Sequence, residues 1–162
     1  LNALEESDYF DWGQDALYKQ EIGVGECAGV ILDLIGAIIN DALQKIDVAT
    51  DILLSGGHPT DALYNAYSAN VIGAKALLLS EDIKCNTQIK ILSDFNEHFI
   101  ESGKFLFDGD FQSFVLSIKK EKASIAFAKY YLKETKHFLE KVIKYREHEK
   151  EHKQVIGNYY KA

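Results

Sequence analysis

Residues 61–80 read DALYNAYSANVIGAKALLLS, and this stretch decides the predicted fold. Small side chains recur in it at intervals of four, three, four and three residues, which is the period of one face of an α-helix. They are Ala62, Ala66, Ala69, Gly73 and Ala76. A helix face without bulky side chains lets another helix approach closely. The stretch therefore predicts a helix packed tightly against a neighbour.

The same helix carries an apolar stripe with one polar member, Asn70. The stripe consists of Leu63, Tyr67, Asn70, Ala74 and Leu77. Asn70 has two interpretations: a hydrogen-bonded core residue that fixes the register of the helices, or the polar floor of a ligand groove. In a groove, Lys75 and Lys84 would supply positive charge for a phosphate. Both interpretations remain open at this point.

The segment before this helix predicts a second one over residues 28–54. Its apolar residues are spaced by three and four. Gly56-Gly57 ends that helix in the manner of a C-terminal glycine cap. Thr60 is predicted to cap the start of the helix over 61–80, because its hydroxyl can accept from a free backbone N–H.

Three further helices are predicted after residue 80. One begins near Asn86 and stops at Ser102-Gly103, a short one follows Asp110, and the last runs from about Lys122 to beyond Arg146. No segment shows the alternation of a strand. The pattern predicts an all-α, antiparallel up-down bundle of four to five helices.

The first 26 residues differ from the rest, since they are acidic and carry aromatic residues without a helical period. We predict an irregular N-terminal arm over 1–26, a helical bundle over 27–155 and a tail over 156–162. The chain starts at Leu1 and contains no Met. It is therefore expected to be part of a longer protein.

Composition limits the classes of function. The chain has 162 residues, with 25 Asp and Glu against 18 Lys and Arg, so its formal net charge is −7. General nucleic-acid binding, which needs a basic face, is not expected. Two cysteines are too few for a disulfide scaffold and indicate a reducing compartment, the cytoplasm. No apolar run approaches the ~20 residues that span a bilayer, so no membrane partner is predicted.

Four segments together resemble the HEPN family of small helical-bundle domains. They are 49–57 (ATDILLSGG), 61–79 (DALYNAYSANVIGAKALLL), 91–105 (ILSDFNEHFIESGKF) and 127–140 (FAKYYLKETKHFLE). The resemblance covers roughly residues 40–146. It implies a four- or five-helix bundle, frequent dimerisation, and either nucleotide binding or RNA cleavage.

Residues 22–34, IGVGECAGVILDL, are similar to a stretch of bacterial proteins related to siroheme-dependent sulfite and nitrite reductases, which carry a HEPN-like domain at the C-terminus. The similarity implies that siroheme and an iron–sulfur cluster would belong to a preceding part of such a parent. The cysteine quartet that holds them is absent here, so no cofactor is expected in this chain. The glycines of this stretch lack the Lys of a phosphate-binding loop and indicate a linker.

Active HEPN ribonucleases carry Arg and His separated by four to six residues, and here five residues separate Arg146 from His152. In such a pair, Arg stabilises the phosphate charge and His transfers a proton. The apolar stripe of the last helix has ended by Arg146, and acidic residues surround the pair. We therefore predict a solvated helix end, with the ribonuclease as the alternative.

The same tail contains an H-E-x-x-H pattern, formed by His148, Glu149 and His152. This pattern binds zinc in metalloproteases, where a third ligand and a packed cleft complete the site. The residues that follow offer no such ligand, so we interpret the match as chance and predict no metal site. Adventitious zinc or nickel binding is expected at most.

The remaining histidines and the cysteines are expected to play ordinary roles. His98, between two Phe residues, and His137 are predicted at the surface or at the edge of the core. Cys27 and Cys85, in a linker and a loop, are predicted as ordinary thiols because no catalytic motif lies near them.

The function expected from these observations is that of a non-catalytic accessory domain for protein interaction, dimerisation or nucleotide sensing. Its parent would be a larger protein resembling sulfite or nitrite reductase. One alternative is the ribonuclease that uses Arg146 and His152. The other is a stand-alone nucleotide-binding module lined by Tyr67, Asn70, Lys75 and Lys84. The expected partners are a second copy of the chain or a preceding domain, with a nucleotide as the candidate ligand.

Overall fold

The computed structural model describes the backbone of residues 28–85 and 87–161, and the side chains of 34–85 and 87–149. The predicted arm over 1–26 lies outside the described residues, as does Cys27. Every regular element in the described part is helical, which confirms the all-α class. The elements are α1 (Ala28–Leu54), α2 (Pro59–Ser80), α3 (Gln88–Phe95), a π-helical segment (Asn96–Glu101), α4 (Phe111–Val115), a 3₁₀ turn (Leu116–Lys119) and α5 (Ile125–Lys161).

The start of α2 differs from the prediction because proline opens it. Pro59 occupies the first turn, where its missing N–H costs nothing, and His58 stands at the N-cap without a side-chain hydrogen bond. The predicted cap at Thr60 is therefore wrong.

Side-chain caps do open the shorter helices. Thr87 caps α3 by accepting from the Lys90 N–H at 3.2 Å. Asn86, near which this helix was predicted to begin, lies outside the described residues. Asp110 caps α4 by accepting from the Gln112 N–H at 3.1 Å, which confirms the predicted short helix.

The start of the last helix differs slightly from the prediction, whereas its end agrees with it. α5 begins at Ile125 rather than Lys122, and the Ser124 hydroxyl accepts from its first turn at 3.1 Å. Its backbone is helical through Lys161, which agrees with a predicted end beyond Arg146. The stretch after Arg146 is rich in Glu and Lys, which favour a helix without any apolar stripe.

The small-residue face of α2 is buried as predicted. The four alanines of this face are at most 1% exposed, and Gly73 is buried with them. A Cβ atom on Gly73 would lie 2.7 Å from Cδ2 of Leu139 and 3.2 Å from Cε2 of Phe138, both on α5. At Gly73, the close approach predicted for this face is therefore made by α5.

The direction of α3 differs from the alternating order of an up-down bundle. Tyr67, early in α2, bonds to Gln88 at the start of α3, while Glu81 at the end of α2 bonds to Lys104, beyond α3. These pairs advance in the same sense, so α3 runs parallel to α2. Seven connecting residues, 81–87, can span about 23 Å, enough to return along α2 before α3 starts.

α5 also runs parallel to α2, because Asn70 bonds to Thr135 and Glu81 bonds to Tyr145. α1 is joined to α2 by a four-residue turn at 55–58, in which Gly56 has a φ of +79°. No helix of the described part is long and apolar enough to cross a membrane.

Candidate functional site

Asn70 lies in the core, at 0% exposure, and ties three elements together. Its Nδ2 donates to Oγ1 of Thr135 at 2.9 Å and to the hydroxyl of Tyr131 at 3.2 Å, both on α5. Tyr131 in turn donates to the Val115 carbonyl of α4 at 2.9 Å. Burial raises the pKa of the Tyr131 hydroxyl, which therefore stays protonated as a donor. These bonds support the core interpretation of Asn70.

The four residues predicted to line a nucleotide groove do not share a surface. Tyr67 is 2% exposed and donates to Oε1 of Gln88 at 2.8 Å, and Lys75 is 3% exposed. Lys84 is exposed in the connection after α2. Tyr67, Asn70 and Lys75 therefore lie inside the bundle, where a ligand would have to displace packed side chains to reach them.

Arg146 is buried, at 4% exposure, which differs from the solvated position predicted for it. It follows Leu139 and Val142, both buried, at the spacing of three and four that forms the core stripe of α5. The charged residues around it hid this periodicity in the sequence. The stripe of α5 thus extends one turn further than predicted, as far as the cation Arg146.

The Arg146 guanidinium uses only part of its donor capacity. Nη1 lies 3.5 Å from Oε2 of Glu149, at the outer limit of a hydrogen bond. Nε and Nη2, which lie along one edge of the planar group, are buried and have no hydrogen-bond partner among the residues that the structure describes. That edge presents two parallel N–H donors, the geometry that matches two oxygens of a carboxylate or phosphate. Buried donors without partners are costly, which marks this edge as a candidate anion site.

Other charged groups gather where α2 ends. Lys104 Nζ pairs with Oε2 of Glu81 at 2.9 Å, and the Tyr145 hydroxyl donates to Oε1 of Glu81 at 3.4 Å. Burial raises the pKa of the Tyr145 hydroxyl, and the negative charges of Glu81 and Glu149 raise it further, so Glu149 also interacts with this hydroxyl. We call Glu81, Lys104, Tyr145, Arg146 and Glu149 the Arg146 cluster.

Tyr145 makes the cluster sensitive to alkaline pH. Burial, followed by the charges of Glu81 and Glu149, raises the pKa of Tyr145 to about 12 from the ordinary 10.0. The folded protein thus holds this proton to higher pH than the unfolded chain does, so stability falls as pH rises from 10 towards 12. We expect the melting temperature of Tyr145→Phe to fall less steeply over this range than that of the wild type.

The matched control is Tyr130→Phe, an exposed tyrosine on the same helix. Its melting temperature should keep the wild-type dependence on pH. Equal slopes for the wild type and Tyr145→Phe would show that folding does not raise the pKa of Tyr145.

The described residues do not bring the other predicted catalytic and metal residues together. His148 is exposed, and Glu149 is turned toward Arg146 rather than held free as a base. The side chain of His152 lies outside the described residues. The ribonuclease role of Arg146 and His152 therefore stays a prediction. The interpretation of the H-E-x-x-H match as chance also stays a prediction.

A surface pocket of about 200 Å³ lies between the loop after the π-helical segment and α5. Lys141 stands beside it, 3.3 Å from the Leu106 carbonyl and 5.8 Å from the centre of the Phe107 ring. Its lining mixes Asp108, Glu134 and Glu140 with His137, Lys141 and Lys144. This balance of charges gives the pocket no preference for an anion, unlike the edge of Arg146.

In comparisons with known proteins, no family model, no curated protein and no solved structure matches the chain.

Proposed function

We propose that this chain is a non-catalytic accessory domain that senses a nucleotide, and that Arg146 binds its phosphate. The observation that supports the proposal is the buried guanidinium edge, Nε and Nη2, for which the described part of the chain offers no hydrogen-bond partner. The resemblance to the HEPN family, which implies nucleotide binding, supports the same choice of ligand.

A phosphate suits this edge for two reasons. Two of its oxygens can accept from Nε and Nη2 at once, and the low dielectric around a buried cation strengthens each bond. Glu149 competes for the same cation, but its 3.5 Å contact to Nη1 is long and uses the other end of the group. The parent related to sulfite or nitrite reductase, and the roles in dimerisation and protein interaction, remain predictions beside this one.

The test is the melting temperature with and without saturating ATP, GTP and their monophosphates. A ligand at about 100 times its dissociation constant stabilises the folded state by about 2.7 kcal/mol. For a domain of this size, the midpoint should rise by about 2–4 °C or more. We expect one of the nucleotides to produce this shift in the wild type.

Arg146→Lys should abolish the shift, because lysine keeps the charge but lacks the planar pair of donors. The matched control is Lys144→Gln, which removes a positive charge from an exposed position two residues away and should keep the shift. Each shift is taken against the same variant without ligand, so a change in intrinsic stability cancels. Two results contradict the proposal: a shift that persists in Arg146→Lys, and the absence of any shift in the wild type with all of the nucleotides.

The ribonuclease is a second candidate, because a buried arginine with free donors also suits the phosphate of an RNA backbone. In that case Arg146→Lys and His152→Ala should each abolish cleavage of single-stranded RNA, since Arg stabilises the charge and His moves the proton. Cleavage that survives both substitutions would come from a contaminant. A nucleotide-induced shift without any cleavage favours the sensing role.

A further inference from the structure

Three side chains with metal-binding atoms converge on one side of α3 and the π-helical segment. Asp94, Glu97 and His98 each offer one ligand atom, and these three atoms lie within 4.8 Å of one another. Their spacing of three and four residues places them on one helical face. The group shares no residue with the Arg146 cluster and does not depend on the nucleotide role proposed there.

The local backbone is unusual at this group. Glu97 and His98 belong to the π-helical segment Asn96–Glu101, which continues α3 with a widened turn. Such segments are rare, and they occur frequently at functional sites. Asp94 thus lies on the regular helix α3, and Glu97 and His98 lie on the widened turn that follows it.

Asp94 is held in place before any ligand binds. It is 6% exposed, and the buried thiol of Cys85 donates to its Oδ2 at 3.1 Å. Lys90 pairs with the other oxygen, Oδ1, at 3.0 Å. One ligand is therefore fixed by a buried hydrogen bond, the arrangement that orients carboxylate ligands in metal sites. Glu97 and His98 are exposed and can rotate toward it.

We propose that Asp94, Glu97 and His98 bind a divalent transition-metal ion, with zinc the best match, and that Cys85 is the positioning residue for Asp94. A ligand set of one imidazole nitrogen and two carboxylate oxygens suits zinc, whereas calcium and magnesium take oxygen ligands alone. Zinc sits about 2.0–2.2 Å from such atoms, so binding draws the three ligands slightly closer. A fourth position stays open to water. Lys90 competes with the ion for Asp94.

The experiment titrates the metal-free chain with Zn²⁺ in competition with a chromogenic chelator. We expect one site in the wild type, and affinity lower by at least about 10-fold in His98→Ala and Glu97→Gln, both changes at exposed positions that leave the core intact. Cys85→Ala should weaken binding by about 10-fold through the loss of the bond to Asp94.

Lys90→Ala should act in the opposite direction. Removing the competing ammonium frees Oδ1 of Asp94 and should tighten binding by about 2- to 5-fold. The matched control, Lys133→Ala, removes the same charge from an exposed position on α5 and should leave the affinity unchanged.

The double variant His148→Ala/His152→Ala separates this site from the H-E-x-x-H match in the tail. Binding that is kept in the double variant and lost in His98→Ala supports the proposal. Binding lost only in the double variant, unchanged affinity in His98→Ala, or weaker binding in Lys90→Ala overturns it.

Discussion

Replacing Phe138 with Ala is expected to lower the free energy of unfolding by about 3–5 kcal/mol. Phe138 is 0% exposed and stands at the centre of an aromatic cluster that joins α3, α4 and α5. Its ring centroid lies 4.6 Å from Phe111, 5.6 Å from Phe105 and 5.7 Å from Phe95. Truncation removes the contacts with all three rings and leaves a cavity that packed neighbours can only partly fill.

Urea denaturation measures this loss, and the exposed Tyr130 provides the matched control. Tyr130→Ala removes an aromatic ring from the same helix and should change stability by no more than about 0.5 kcal/mol. Since a domain of this kind is stable by only about 5–15 kcal/mol, Phe138→Ala can unfold it. Phe138→Leu keeps part of the volume and should show a smaller loss in the same direction. If Phe138→Leu and Phe138→Ala were both as stable as the wild type, Phe138 would not be packed at the centre of this aromatic cluster.

The helices themselves were predictable, because their apolar residues repeat with a local period that needs no knowledge of distant contacts. The bounds of α1, the end of α2 and the short α4 follow from this period and from glycine and aspartate caps. The direction of α3 was not predictable in this way. It depends on the pairs Tyr67–Gln88 and Glu81–Lys104, which are 21 and 23 residues apart in the chain.

For the candidate sites, too, the sequence indicated what depends on local periodicity and not what depends on distant contacts. Asn70 was recognisable as a buried polar residue because it interrupts an apolar stripe, but its partners on α5 are 61 and 65 residues away. Arg146 continued a stripe that its acidic neighbours concealed. Asp94, Glu97 and His98 were not recognised as a group from the sequence, because their arrangement depends on a π-helical turn and on Cys85 from the preceding connection. Local period predicts elements, whereas sites depend on tertiary contacts.

The second large effect concerns Gly73, where α2 packs closely against α5. Gly73→Val is expected to lower the free energy of unfolding by about 1–3 kcal/mol or more, because added methyl groups in a packed interface force the helices apart. Its Cβ alone would meet Leu139 at 2.7 Å and Phe138 at 3.2 Å. Those two side chains are at most 1% exposed, so neither has free space in which to move. Thermal or urea denaturation measures the loss.

Gly36 on α1 is the matched control, since it is an exposed helical glycine and no atom of the described residues lies within 4 Å of its Cβ position. Gly36→Ala should raise stability by up to about 1 kcal/mol, because alanine favours the helix and restricts the unfolded chain. The same conformational gain acts in Gly73→Ala, where the contact with Leu139 opposes it. Gly36→Ala therefore measures the effect of helix propensity on stability alone, whereas the two Gly73 variants also measure the effect of the contact with α5. If Gly73→Val is as stable as the wild type while Gly36→Ala gains stability, α2 and α5 do not pack through the small-residue face, and the arrangement of the bundle around Asn70 and Arg146 must be revised with it.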